Sequence, residues 1–178
     1  MKKLLFFIIF SLFFKENVKK DQNLYEICNP QVVVVESSTK YNTVRKINES
    51  IFIDKMGYLE STNNWRVTNK YNYIGEYQFG YLAMRDIGYS RSKTRYIRKN
   101  FRKNPNIWPK EIQDDSMLKL INKNRYYLRK ELCLFNDSTI NGYRISEPAL
   151  LAAAHLGGAK NVKRYLYSNG KIIKHDAN

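Results

Sequence analysis

The sequence predicts a mainly α-helical domain with little or no sheet, preceded by a short N-terminal leader. Apolar residues recur at helical spacing over several long stretches, and clusters of Gly, Pro and Asn separate those stretches. The 178 residues, 43% apolar and 14% aromatic, suffice to bury one sizeable core and are few for two.

The leader opens with Lys2 and Lys3, followed by an apolar run from Leu4 to Phe14 broken only by Ser11. A basic start before a short apolar run is the pattern of a secretory signal. Eleven residues fall well below the roughly 20 that cross a bilayer as a helix, so export rather than stable anchoring is expected. Lys15, Glu16 and Asn17 follow at once, without an A-x-A cleavage site. We therefore divide the chain into a signal-like leader (1–20), a linker or short extended segment (21–40) and a helical domain (41–178). Within the linker, Ile27 to Val35 holds Pro30 and four consecutive valines, which favour extended chain.

From Tyr41 to Glu60, Val44, Ile47, Ile51, Met56 and Leu59, with Phe52 alongside, fit an amphipathic helix. Gly57 weakens its last turn, and Glu60 falls at or just beyond its C-terminal end. Ser61 to Tyr73 reads as a loop, Tyr77 to Ile87 as a second helix, and Gly88 as its stop. Arg91, Arg95, Arg98 and Arg102 would form one basic stripe on a third helix, widened by Lys93, Lys99 and Lys103. Asn104, Pro105 and Pro109 break that pattern. Ile112 to Leu134 resumes as a charged helix with Met117, Leu120, Ile121, Tyr127 and Leu128 turned inward. Asn136 to Tyr143 supplies a turn, Ser146 an N-cap and Pro148 a first-turn residue for a small apolar helix through Leu156. After Gly157 and Gly158 a last short helix ends near Gly170.

A formal charge of +15, from 31 basic and 16 acidic residues, predicts attraction to polyanions without choosing among them. The abundance of Lys, Asn, Ile and Tyr is also what coding sequence rich in A and T produces. Cys28 and Cys133 are too few and too far apart for a disulfide framework or a recognisable zinc site, although a single bridge is open to an exported chain. No metal site and no cofactor are expected.

Three separated pieces carry chemistry: Leu59-Glu60-Ser61-Thr62-Asn63-Asn64-Trp65, Tyr73-Ile74-Gly75-Glu76-Tyr77-Gln78-Phe79-Gly80, and Leu151-Ala152-Ala153-Ala154-His155-Leu156-Gly157-Gly158. Together they resemble the lysozyme-like lytic transglycosylase superfamily, in which an E-S pair is followed by a G-x-x-Q element and later by an A-Y-N-like helix. Gly75 and Gln78 lie 15 and 18 residues after Glu60, which is the family register. The resemblance runs from about Ile51 to the C-terminus. It is nearest to a phage- and secretion-associated branch with G-K/R-Y-Q-F/M-G and L-A-A-A-H-L-G-G elements.

There are departures. Asn72 stands where the family often has Gly, and Asn tolerates positive φ better than most residues. Glu76 replaces the usual basic residue. His155 and Leu156 occupy the Tyr and Asn positions of the broad family, as they do in the branch. The branch continues through a D-x-N-G-T-like segment into a further helix, whereas this sequence stops at His175-Asp176-Ala177-Asn178 and so reads as cut short.

The resemblance implies a lysozyme-like domain that cleaves the β-1,4 bond between N-acetylmuramic acid and N-acetylglucosamine, as a lytic transglycosylase or a lysozyme. Such cleavage needs a carboxylic acid that stays protonated near neutral pH, and partial burial provides one by penalising the ionised form. Glu60 is the expected catalytic acid. The family scheme uses this one carboxylate, first as acid and then as base toward the sugar's own 6-hydroxyl, assisted by the substrate's N-acetyl group.

Ser61 is expected to position the catalytic loop, and Tyr77 and Gln78 to bind sugar or acetamide. His155 is a candidate to approach from the buried helix, against the simpler reading of a hydrogen-bonded core histidine. Glu76 is better read as complementing a helix N-terminus than as a second carboxylate. Trp65 and Trp108 read as core or rim residues. The expected partners are peptidoglycan strands and anionic wall polymers, met by an exported monomer in the periplasm or cell envelope. Two rivals stand: a catalytically inactive wall-binding module, and a basic nucleic-acid-binding protein, which would leave the three pieces unexplained.

Overall fold

The computed structural model describes residues 38–172, with side chains from Glu49 onward. The leader, the valine-rich segment, Cys28 and the last six residues lie outside the described residues. The described chain is mainly helical, with one two-stranded sheet. It contains α1 (Ser38–Ser61), α2 (Tyr81–Asp86), α3 (Arg91–Asn100), a 3-10 turn (Pro105–Ile107), α4 (Lys110–Phe135), β1 (Thr139–Ile140), β2 (Tyr143–Arg144), α5 (Glu147–Gly157) and α6 (Ala159–Tyr167). No helix among the described residues is long and apolar enough to cross a membrane. The chain forms two compact units that divide within α4, after Lys123.

In the first unit, α1 buries Phe52 and Met56, one turn apart, while Ile51 is exposed, so the inward face is rotated from the one expected. The second helix begins later than expected. Tyr77 and Gln78 lie not in a helix but in a tight turn between Ile74 and Phe79, which pair as an antiparallel bridge. Helix α2 then starts at Tyr81 and ends in a Schellman motif, with Tyr89 N–H donating to Met84 C=O (3.1 Å) and Gly88 N–H to Arg85 C=O (3.1 Å). Ser90 caps α3 by accepting from Lys93 N–H at 3.1 Å.

Trp108 organises this core. Its buried ring makes edge-on contacts with Phe79 (5.3 Å), Phe101 (6.2 Å) and Tyr89 (6.4 Å), and its indole N–H donates to the Tyr89 hydroxyl at 3.0 Å. The start of α4 presents Gln113, Ser116, Met117, Leu120 and Ile121 as one buried stripe at helical spacing.

The second unit is built on Leu128, Leu132, Ile140, Ile145, Leu150, Ala154, Val162 and Leu166. Leu128 is buried as expected, whereas Tyr127 is exposed. The expected turn after α4 is a β-hairpin. Thr139 pairs with Arg144 and Ile140 with Tyr143 around Asn141 (φ 51°) and Gly142 (φ 79°), the two positive-φ positions that a type I′ hairpin turn requires. Ser146 caps α5 through Ala149 N–H (3.4 Å), with Pro148 in the first turn, as the sequence indicated. Buried Glu131 accepts from the Tyr167 hydroxyl (3.1 Å) and pairs with Lys163 (3.3 Å), which compensates its charge.

Candidate functional site

Glu60 is the penultimate residue of α1, the carbonyl end of a helix, where no free N–H groups stabilise a negative charge. Its side chain is largely withdrawn from water, with Oε1 sealed from solvent. Burial raises the carboxyl pKa from 4.5 to about 7, so the group holds its proton near neutral pH.

The chain reverses directly after it. The Ser61 hydroxyl donates to Gly57 C=O (3.2 Å) and accepts from Asn64 N–H (3.0 Å), tying the helix end to the loop. Thr62 (φ 54°) and Asn63 (φ 59°) are both left-handed, and for a β-branched threonine this is an uncommon, strained conformation. Asn63 N–H reaches back to Gly57 C=O at 3.1 Å. Ser61 thus ties the end of α1 to the loop that follows it.

The second piece is set by Gln113 of α4. Its fully buried amide accepts from Glu76 N–H (2.7 Å) and donates to the carbonyls of Trp65 (2.9 Å) and Trp108 (2.7 Å). One side chain therefore joins the loop after Glu60, the Gly75–Gln78 turn and the approach to α4. Gly75 is required twice over: its φ is +78°, and a Cβ there would sit 2.3 Å from Gln113 Oε1. Asn72 adopts φ 65°, a left-handed conformation that Asn tolerates better than most residues, and its carbonyl accepts from Arg98 Nη2 at 2.9 Å.

Glu76 is buried at 2% exposure and pairs with Lys110 (3.0 Å), which also contacts Asp114 (3.0 Å). Burial alone would lower the Lys110 pKa, but its bonds to Asp114 and Glu76 outweigh that and raise it. Glu76 is therefore neither a helix N-terminal complement nor a solvent-facing second carboxylate. It is an internal ion-pair partner packed against Gly57, one turn before Glu60.

Tyr77 and Gln78, the two residues expected to bind sugar, both make internal hydrogen bonds. Tyr77 is 1% exposed and its hydroxyl donates to Asp114 at 2.8 Å, which leaves no ring face for a ligand. Burial, together with Asp114, pushes its phenol pKa well up. Gln78, at φ 48°, turns its amide N–H back to Gly75 C=O (2.8 Å) and locks its own turn. Glu60, Ser61, Tyr77 and Gln78 all belong to the first unit. His155 lies on α5 of the second unit, half buried, with Nδ1 sealed from solvent.

Sequence reasoning missed Gln113, Asp114 and Lys110. The available signal was a polar residue on the buried stripe of an amphipathic helix. The basic stripe is also revised: Arg98 turns inward to Asn72, and burial lowers its pKa, while Arg91, Arg95 and Arg102 are exposed. Among the described residues no group of three or more His, Cys, Asp or Glu is placed to hold a metal ion. In comparisons with known proteins, no family, no curated protein and no solved structure matches the chain.

Proposed function

We propose that this chain cleaves the β-1,4 bond between N-acetylmuramic acid and N-acetylglucosamine in peptidoglycan, and that its helices form a lysozyme-like domain. The observation that carries this reading is a carboxyl at the end of α1 that burial keeps protonated to about pH 7. The Glu-Ser pair, with Gly75 and Gln78 at the register of the lytic transglycosylases, supports it.

In the proposed reaction Glu60 gives its proton to the glycosidic oxygen as the bond from that oxygen to the muramic C1 breaks. The resulting carboxylate takes the proton of the same sugar's 6-hydroxyl, and O6 closes on C1 to give a 1,6-anhydro ring. The substrate's N-acetyl group steadies the positive charge at C1 in between. A lysozyme-type enzyme would deliver water instead of O6. Neither version calls for a cofactor. Ser61, Gln78 and Gln113 act by holding the loop and the turn.

The test is fragment release from purified sacculi, read by turbidity and by mass spectrometry of the products. Release that ends in anhydro sugars and disappears in Glu60→Gln fits the proposal, whereas a variant that keeps most of the activity rejects it. A second reading, a wall-binding module without catalysis, is favoured by the burial of Tyr77 and by the internal bond of the Gln78 amide. It predicts pelleting with sacculi and no released fragments.

A further inference from the structure

Residues 61–75 and 87–109 contain nine Lys and Arg and no Asp or Glu. The hydrogen bond from Arg98 to the Asn72 carbonyl brings these two segments together within the first unit. Arg91, Arg95 and Lys99 follow one another at intervals of one helical turn and are exposed, so they share a face of α3. Arg66 and Lys70 are exposed on the loop, and none of these five cations has an acidic partner among the described residues.

Aromatic rings flank the charges, with Tyr96 beside the stripe on α3, three residues before Lys99. Tyr71 and Tyr96 are 67% and 61% exposed, and Lys70 sits over the Tyr71 ring at 5.0 Å. Like charges this close repel one another, so an anion seated on the face relieves a cost as well as adding attraction. The exposed phenol rings offer flat apolar surface, which suits a ligand with ring faces of its own better than a flexible chain of bare phosphates.

We infer that this face of α3 and the 61–75 loop binds an acidic sugar polymer, with the cations holding its carboxylates and Tyr71 and Tyr96 lying against its rings. The choice of a sugar polymer rests on the wall-cleaving reading, in which the substrate strand is built from a sugar acid, muramic acid, whose carboxyl group is the anionic feature. The face would then favour strands that retain those carboxylates over neutral glycan.

The probe is fluorescently labelled polygalacturonate, titrated into the full chain carrying Glu60→Gln, with neutral dextran and an oligothymidylate of matched charge as comparators. Polygalacturonate is expected to bind in a salt-sensitive manner and more tightly than the oligothymidylate, and dextran not to bind. Exposed-site charge reversal in Arg95→Glu/Lys99→Glu should weaken binding about ten-fold or more, with an unchanged circular dichroism spectrum. Tyr96→Ser should weaken polygalacturonate binding several-fold at constant charge.

Tighter binding of the oligothymidylate would assign the face to nucleic acid and overturn the inference, as would charge reversal without effect. Binding and cleavage fail separately. Wild-type fragment release without polygalacturonate binding sinks this face alone, and binding without fragment release sinks the enzyme reading.

Discussion

Glu76 occupies the space that a side chain at Gly57 would need: a Cβ at position 57 would lie 2.5 Å from Glu76 Oε1 and 2.9 Å from its Cγ. The glycine that weakens the last turn of α1 in isolation thus admits a buried carboxylate one turn before Glu60. That carboxylate is held from the far side by Lys110 and through its backbone by Gln113.

Gly57→Ala follows from this contact. Helix propensity alone would stabilise α1 by about 1 kcal/mol. Glu76 has no solvent to retreat into, however, and overpacking of a closed site costs about 1–3 kcal/mol. The expected net result is a loss of about 1 kcal/mol in denaturant unfolding, with Gly57→Ala less harmful in a Glu76→Ala background than alone. A stabilised Gly57→Ala protein would show that Glu76 is free to move.

Gln113→Leu keeps the volume and removes three hydrogen bonds, leaving Glu76 N–H and the Trp65 and Trp108 carbonyls to find new partners. Stranding such groups in a buried site is expected to cost about 3 kcal/mol. Fragment release should fall further than the folded fraction does, because the loop after Glu60 loses its tie to the 75–78 turn. Equal falls in both would reduce Gln113 to a stability role.

Burial of Glu60 is a stability cost that depends on pH. Its carboxyl titrates at 4.5 when unfolded and at about 7 in the fold, so between these values the folded state carries the extra proton. Stability is then full at low pH and falls as pH rises from the lower value through the upper one, by on the order of 3 kcal/mol. Glu60→Gln lacks this loss. Compared by urea unfolding, the pH-dependent loss should be absent from both proteins near pH 4, and the Gln variant should be the more stable near pH 8. Parallel stability curves would mean that Glu60 is not withdrawn from water. Cleavage by the wild type should decline later, as pH rises through about 7, where the carboxyl of the folded protein loses its proton.

Much of this arrangement was legible in the residues and some was not. Helical spacing placed Glu60 at the end of a helix, and the left-handed tolerance of Asn72 was evident from its type. Tyr77 and Phe79 misled because their apolar character suits a helix as well as a bridge, and only the pairing of Ile74 with Phe79 decides between them. Asn141-Gly142 is the strongest short signal for a hairpin, and reading it as a plain turn understated it. Gln113 was hidden because periodicity is sought in apolar residues, while here the buried stripe of α4 includes an amide. Arg98 fell on a regular basic stripe, and nothing local distinguishes the arginine that turns inward to a carbonyl from those that stay in water.

The measurement closest to the central claim is a carbon-detected NMR titration of the Glu60 side-chain carboxyl in the folded protein. A midpoint near 7 is expected. A midpoint near 4.5, the ordinary value for glutamate, would mean that the group is ionised at neutral pH and cannot serve as the proton donor.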